Sequence, residues 1–484
     1  MQSAAAWRRF AIAAMFVVSA LFPQPARPLD GELDPLFPRL VLPLPPLVTG
    51  STQGVRIRIQ QDGRILVLAE FTPPGSIDPK ALLIYRLLPD GQPDTGFADD
   101  GLYILEINGR PIHPTALELD SAGRIVFGGW GEQVAGQNSW LIGRLLPGGE
   151  FDPDFANGYP RTVTFGAISG GVDDRLNDLA ISQDGGIAAG GVTTFSSARQ
   201  DAAFCRLTSD GDFDSSFGLN GLTVANLGPV NADARATEAT DLLLEPGSEL
   251  LTFAGTHYSV FGTTYNSYWV AGRIGTNGVF DPSFHGTGYL LTSGSAIDPT
   301  TTDSWGTRIV RNSDGSYLQA GHFFQATIPY SWIALAKILE NGTVSILWGD
   351  FGYRSFVYDA AAGSQVAGFA LDGEERPLIA GWADFGGTYP KTGYARFAGD
   401  LPDPNFVGGG ATSIDLVVGP MIRGLGNDIA VDRGGRFLIL GTTIFNHATP
   451  DAYRRATIVR FRNGLPFADD FESGSTYRWY PVNP

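Results

Sequence analysis

The stretch Arg206–Gly221 reads RLTSDGDFDSSFGLNG, and the kind of element it forms decides the fold. Rich in Asp and Gly, it invites comparison with a cation-binding loop. A calcium loop, however, needs ligands at fixed intervals closed by a glutamate, and no D-x-D-x-D-G-type spacing with a terminal Glu is present. Recurrence settles its nature. LDGELDPLF ends at Phe37, RLLPDGQPDTGF at Phe97, RLLPGGEFDPDF at Phe155, RIGTNGVFDPSF at Phe284, KILENGTVSILW at Trp348 and RFAGDLPDPNF at Phe406. The spacing is about 60 residues, so the chain is built of repeats.

A second motif falls between successive copies. It reads QDGRILVLA from Gln61, SAGRIVFGG from Ser121, QDGGIAAGG from Gln183, SDGSYLQAG from Ser313 and RGGRFLILG from Arg433. Short alternating runs such as TDLLLE and NDIAVD precede it. Period-two alternation broken by turn residues predicts four strands per unit, A to D. An Asp-Gly or Gly-Gly turn joins A to B, where Gly accepts positive φ without steric cost.

The opening motif then links C to D. Its second Asp (Asp34, Asp94, Asp152, Asp214, Asp281, Asp403) is often followed by Pro, an order that suits an N-cap and the first position of a single helical turn. The closing aromatic (Phe37, Phe97, Phe155, Phe217, Phe284, Trp348, Phe406) is expected to plug the gap between neighbouring sheets. Strand C carries one basic residue at a fixed place: Arg86, Arg144, Arg206, Arg273, Lys337, Arg396 and Arg460. A group repeated in every unit serves the scaffold, because an active site needs it once. Pairing with the second Asp is predicted, since the unit with Lys337 is also the one in which that Asp is replaced, by Ser345.

Seven A–B–C sets run from about Val55 to Phe461, and seven signature-plus-D sets from Asp30 to about Leu416. An all-β, seven-bladed β-propeller over residues 30–466 is expected. Its last blade is closed by an N-terminal strand near Arg39–Leu44 added to the three C-terminal strands. The paired DGxxxxaG and RLxxDGxxDxxFGxxG elements resemble the delta-sixty repeat family of bacterial secreted and surface proteins. That resemblance implies a propeller and export, and it brings no established activity or catalytic residues. The ending FADDFESGSTYRW, within residues 467–484, is similar to a short acidic tail found on many exported bacterial proteins.

Composition agrees with many short strands: 63 Gly, 12% aromatic and only 17% charged residues. A net charge of −17 disfavours nucleic acid and anionic lipid as partners. Residues 1–26 read as a signal peptide, with Arg8 and Arg9 before the apolar Phe10–Leu21 and cleavage after Ala20 or Ala26. A secreted, periplasmic or cell-surface monomer, not inserted in a membrane after signal removal, is therefore expected. Cys205 is the single cysteine, which rules out an intrachain disulfide, and its apolar neighbours predict buried filler.

In such blades the A–B and C–D links share one rim, which is uniform here. The B–C and D–A links share the other, and they vary in length and composition. Variable loops on a rigid frame are where binding sites are usually built. The candidate ligand-binding residues on that rim are Trp130, His257, Tyr258, Tyr265, His322, Phe323, Tyr330, Trp382 and Tyr389, whose flat faces suit sugar rings. Neither cofactor nor metal is indicated, and no G-x-S-x-G, H-E-x-x-H, C-x-x-C or P-loop occurs. Asp173-Asp174 is read as a solvated acid pair. The reading favoured by the sequence is an exported non-catalytic scaffold binding a glycan or another protein on the uneven rim. A glycoside hydrolase or lyase using rim carboxylates with His257 or His322 stays open, as does a purely structural surface protein.

Overall fold

The computed structural model describes residues 30–462, apart from residues 47, 135, 196–198, 226, 228–233, 262–263, 327, 360–362, 385–389, 420–421 and 447–451. The predicted signal peptide and the tail at 467–484 lie outside the described residues, as does Tyr389.

The chain is all-β apart from short helical turns. It opens with β1 (Leu40–Val41). A four-stranded antiparallel sheet follows, with β2 (Ser51–Ile59), β3 (Ile65–Thr72), β4 (Ala81–Leu87) and β5 (Leu102–Glu106) in sequential order. The pattern repeats with β6 (Ile112–Leu119), β7 (Ile125–Val134), β8 (Gln137–Leu145) and β9 (Arg161–Val163). Next come β10 (Gly171–Ile181), β11 (Ile187–Phe195), β12 (Gln200–Leu207) and β13 (Leu222–Ala225), then β14 (Ala234–Leu244), β15 (Leu251–Phe261), β16 (Thr264–Ile274) and β17 (Tyr289–Ser293). A single parallel bridge, Gln200 to Ala236, joins these two groups. β18 (Thr301–Arg311), β19 (Tyr317–Gln325), β20 (Ile328–Ile338) and β21 (Tyr353–Phe356) form another sheet. β22 (Gly363–Leu371), β23 (Pro377–Asp384) and β24 (Lys391–Ala398) continue in order, and β24 then pairs with both the two-residue β25 (Leu401–Pro402) and β26 (Ala411–Ile414). β27 (Arg423–Val431), β28 (Phe437–Phe445) and β29 (Tyr453–Phe461) end the described chain, and β1 lies antiparallel on β29 through Leu40–Ile458 and Val41–Thr457.

Sequence explains which strands are interior. The second and third strands of each sheet, such as ILVLAEFT and ALLIYRL, are near-continuous apolar runs, and both their faces are buried because sheets stack face to face. Leu66, Leu68, Leu82 and Ile84 of one sheet thus meet Leu117, Ile125, Phe127 and Leu141 of the next. Each such burial is worth about 1.5–3 kcal/mol. The fourth strands are short and half exposed, as outer edges tolerate.

The repeated C-to-D motif is the joint between sheets. In the motif ending at Phe155, Asp152 divides its two oxygens. Oδ1 accepts the Asp154 N–H at 3.0 Å, and Oδ2 accepts the Arg144 Nε–H at 2.7 Å. Arg144 also donates through Nη1 to the Ser209 carbonyl in the next unit, and its guanidinium lies 4.9 Å from the Phe155 ring centre. The same Arg–Asp pair forms between Arg86 and Asp94, Arg206 and Asp214, Arg273 and Asp281, Arg396 and Asp403, and Arg460 and Asp34. Lys337, facing Ser345, turns instead to Asp314 at 3.4 Å. The expected helical turn is a plain hydrogen-bonded turn, Phe155 N to Asp152 O, because the chain must leave at once for the outer strand.

The aromatic then reaches forward. Phe155 packs on Gly211 of the following motif, where an added Cβ would sit 2.8 Å from its ring, and Ala156 N–H donates to the Asp210 carbonyl. Phe97 meets Gly149 in the same way, Phe284 meets Gly342 and Phe37 meets Gly91, whereas Gly278 meets the backbone at Phe217–Gly218. Phe406, late in the chain, packs on Gly31, near its described start.

Candidate functional site

The aromatic rim residues divide on inspection. His257 and Phe323 are fully buried, so neither presents a face to a ligand. His257 Nδ1 lies 2.8 Å from the Thr237 hydroxyl, and Phe323 packs with Trp269, Ala334 and Ala336. The reason is period two: both point into the stack between sheets, not along the loop. Trp130, Tyr258, His322, Tyr330 and Trp382 are half-buried. The Trp130 ring is stacked on His113 at 3.9 Å and lies 5.0 Å from the Arg175 guanidinium. His322 stacks on Trp305 at 5.1 Å. Burial pushes its pKa down to about 4, which keeps it neutral near pH 7, and its Nδ1 has no hydrogen-bond partner among the described residues. Tyr265 lies in β16 with its side chain outside the described residues.

Asp174 corrects the solvated reading of the Asp173-Asp174 pair. It is buried, and it accepts the Phe165 N–H at 2.9 Å and the Thr193 hydroxyl at 2.6 Å. Asp173 alone faces outward, toward Arg175 at 2.7 Å. Successive residues of a strand point to opposite faces, which separates two adjacent carboxylates.

A different site emerges along the first strands. β2 adjoins β6, and contacts pass on through β10, β14, β18, β22 and β27, which adjoins β2. Each of these strands carries a register shift midway, at Gly54/Arg56, Pro114/Ala116, Leu176/Asp178, Ala239/Asp241, Gly306/Arg308, Val366/Gly368 and Gly426/Asp428. Bulges re-aim side chains. Around them lies a cavity of about 310 Å³, lined by residues of β2, β6, β10, β14, β18 and β22.

The carboxylates here form a relay of main-chain caps. Asp178 Oδ2 accepts the Leu242 N–H at 3.0 Å, Asp241 the Ile309 N–H at 2.7 Å, and Asp428 the Ile57 N–H at 2.9 Å. Each holds the first strand of the following sheet. Arg58 is gripped by Glu118 at 2.6 Å and Asp428 at 3.0 Å. Burial pushes Asp241 up to about 8 against the pull of nearby Arg308, and it raises Glu118 and Glu238 as well. Glu238 accepts the Asn177 amide at 2.8 Å. Arg56 has no carboxylate within 4 Å among the described residues, and its pKa is lowered by burial and then by Arg308.

Sequence reasoning missed this cluster. The TDLLLE and NDIAVD runs were visible as strands, but not the bulge that re-aims side chains in each. The available signal was the Asn/Thr-Asp pair recurring at one place in Asn177-Asp178, Thr240-Asp241 and Asn427-Asp428. Elsewhere, the shallow groove of about 230 Å³ between Gln61 and Arg433 is built from the uniform A–B turns and sits over the Arg460 joint. No group of three or more His, Cys, Asp or Glu placed to hold a metal occurs among the described residues.

Three stretches, residues 60–97, 123–155 and 182–217, match a family model described as a domain of unknown function (DUF5122) β-propeller. Each match runs from an A–B turn to a signature phenylalanine and so spans the turn, strands and joint described above. The matches support a β-propeller repeat family. Among solved structures, the chain is similar to a protein of unknown function from Dyadobacter fermentans (9% identity, TM-score 0.41, 86% of this chain and 96% of that one). It is also similar to the subtype N11 neuraminidase-like protein of a flat-faced bat isolate from Peru (11%, 0.38, 91% and 98%). A third similar structure is a Hadza microbial sialidase (9%, 0.38, 81% and 75%). No curated protein sequence matches the chain.

Proposed function

We propose that the protein is an exported binding scaffold, a seven-bladed propeller of delta-sixty type over residues 30–466. In this reading it takes a polar small molecule or glycan at the axis and along the uneven rim. Closure of the ring is supported by β1 beside β29, by Phe406 on Gly31 and by the Asp428 cap on Ile57. Export rests on the signal-like residues 1–26. The observation that carries the binding reading is the axial cavity. It is a space of about 310 Å³ with a mixed lining, in the range of small-ligand sites, walled by six strands that bring Arg56, Thr115, Asn177, Glu238 and Arg308 to it beside Val55, Pro114 and Val366.

A glycan array on purified protein, probed alongside an Arg56 variant, tests the reading. Binding of a defined glycan supports it, and an empty array together with no thermal stabilisation by the glycan classes it carries refutes it. A hydrolase reading draws on one observation, the Asp241 carboxyl held up to about 8, where a buried acid stays protonated near neutral pH and has a proton to give. Turnover in a general glycosidase screen that disappears in Asp241→Asn would select that reading.

A further inference from the structure

Around the axial cavity the balance of donors and acceptors is uneven. The carboxylates beside its lining are spoken for: Asp178, Asp241 and Asp428 cap main-chain N–H groups, and Glu118 holds Arg58. Glu238 is engaged by Asn177, and its burial favours the neutral acid. The cations are not matched in the same way. Arg56 makes one internal hydrogen bond, Nη1 to the Val55 carbonyl at 3.1 Å, which leaves most of its fork free among the described residues. Arg308 anchors Nε on the Ala367 carbonyl at 2.7 Å. Its Nη1 reaches long contacts, 3.4 Å to the Thr240 carbonyl, 3.5 Å to the Thr307 carbonyl and 3.7 Å to Asp241, and its Nη2 has no partner within hydrogen-bond distance among the described residues. The Thr115 hydroxyl also lines the cavity, buried and without a partner among the described residues. Two guanidiniums beside an orphan hydroxyl carry unspent donors, and the buried Thr115 hydroxyl costs stability unless a ligand or water supplies a partner.

We infer that this cavity binds a small polyhydroxylated carboxylic acid of the sugar-acid class, its carboxylate between Arg56 and Arg308 and its hydroxyls on Thr115 and the Asn177–Glu238 pair. A forked guanidinium matches a carboxylate in a way a point charge does not. Threonine, asparagine and glutamate side chains suit hydroxyls. The inference rests on the axial binding reading above and narrows it to a ligand class.

The test is calorimetric titration of the full protein with D-galacturonate, D-galactose and inorganic sulfate, repeated on Arg56→Gln and Thr115→Val. Arg56 makes no ion pair, so its variant should fold with an unchanged melting temperature, and Thr115→Val keeps the shape. Galacturonate should bind at least tenfold more tightly than galactose. Its affinity should fall at least tenfold in Arg56→Gln and by a few-fold in Thr115→Val. Equal binding of galactose and galacturonate, or full affinity in both variants, overturns the inference. So does sulfate binding as tightly as galacturonate, which would reduce the site to a bare oxyanion hole. If a neutral glycan binds on the array while galacturonate does not, the scaffold reading stands and only the acid site falls.

Discussion

Arg144 is the clearest place to weigh the joint. Its side chain is 2% exposed and that of Asp152 3%, and the pair is reinforced by the Ser209 carbonyl and the Phe155 face. Arg144→Ala leaves a buried carboxylate with the Asp154 N–H and a distant Arg124, 3.8 Å away, as partners. Breaking a buried pair on one side costs about 3–5 kcal/mol. An unfolding entropy of roughly 2.1 cal/mol/K per residue, over a cooperative unit of about 400 residues, makes each kcal/mol worth about 1 °C, so the melting temperature should fall by roughly 3–6 °C. Lys337 provides the internal control. It occupies the equivalent position, but its side chain is 23% exposed and its partner Asp314 59% exposed, so Lys337→Ala should cost less than about 1 kcal/mol and about 1 °C. Differential scanning calorimetry on both variants decides the matter. Equal shifts, or a fall confined to Lys337→Ala, would refute the view that the repeated basic residue acts through a buried pair. Neither variant should alter ligand affinity, since both lie at the end of the sheets away from the uneven links.

Further outcomes follow from the same geometry. Gly149→Ala places a methyl group 2.7 Å from the Ala98 nitrogen at φ +98°, so it should destabilise by about 2 kcal/mol or more, read as a lowered urea midpoint. Asp34→Ala strips the buried Arg460 of its carboxylate and should loosen β1 from β29, seen as faster amide exchange at Leu40–Val41 and Ile458. Asp241 has a folded-state pKa raised above its unfolded value, so the folded chain holds a proton that the unfolded chain has lost. Stability should therefore decline as pH rises from about 4 to about 8, and Asp241→Asn should flatten that slope in melting curves. Below that window the sign reverses. Burial works to raise Asp94, but the Gly96 N–H, Arg86 and Arg64 outweigh it and leave its pKa lowered, so this stabilisation disappears as the pH falls through the folded-state value.

How much of this was legible in the sequence depends on whether a residue acts through the chain's period or against it. The joints were legible, because Asp152, Phe155 and Arg144 recur with their spacing intact, and even the exception announced itself when Lys337 and Ser345 departed together. The strand order was legible from alternation, and β1 on β29 from the offset between the two motifs. The rim was not. His257 and Phe323 were read as loop residues, but they lie inside β15 and β19, and strand alternation carries them into the stack, where His257 meets Thr237 and Phe323 meets Trp269.

The axial cluster was hidden for a stronger reason. A bulge adds one residue to a strand without changing its composition, so alternation along β14 does not show that Asp241 will cap Ile309 of the next sheet while Ala239 packs in the core. Here the bulge recurs in every first strand, and the residue after it differs from sheet to sheet: Arg56, Ala116, Asp178, Asp241, Arg308, Gly368 and Asp428. Three of these seven are aspartates doing the same structural task, capping the next strand. Two are arginines, and they break the pattern. Arg308 recovers part of the function by holding the Ala367 carbonyl, whereas Arg56 recovers none of it. A scaffold under selection for stability alone would have little use for a guanidinium at that place, since its burial and the nearby Arg308 outweigh the pull of Asp428 and Asp178 and leave its pKa lowered. The departure from the repeat at Arg56, set against six neighbours with structural employment or none needed, is therefore the position on which the proposed recognition role rests most directly.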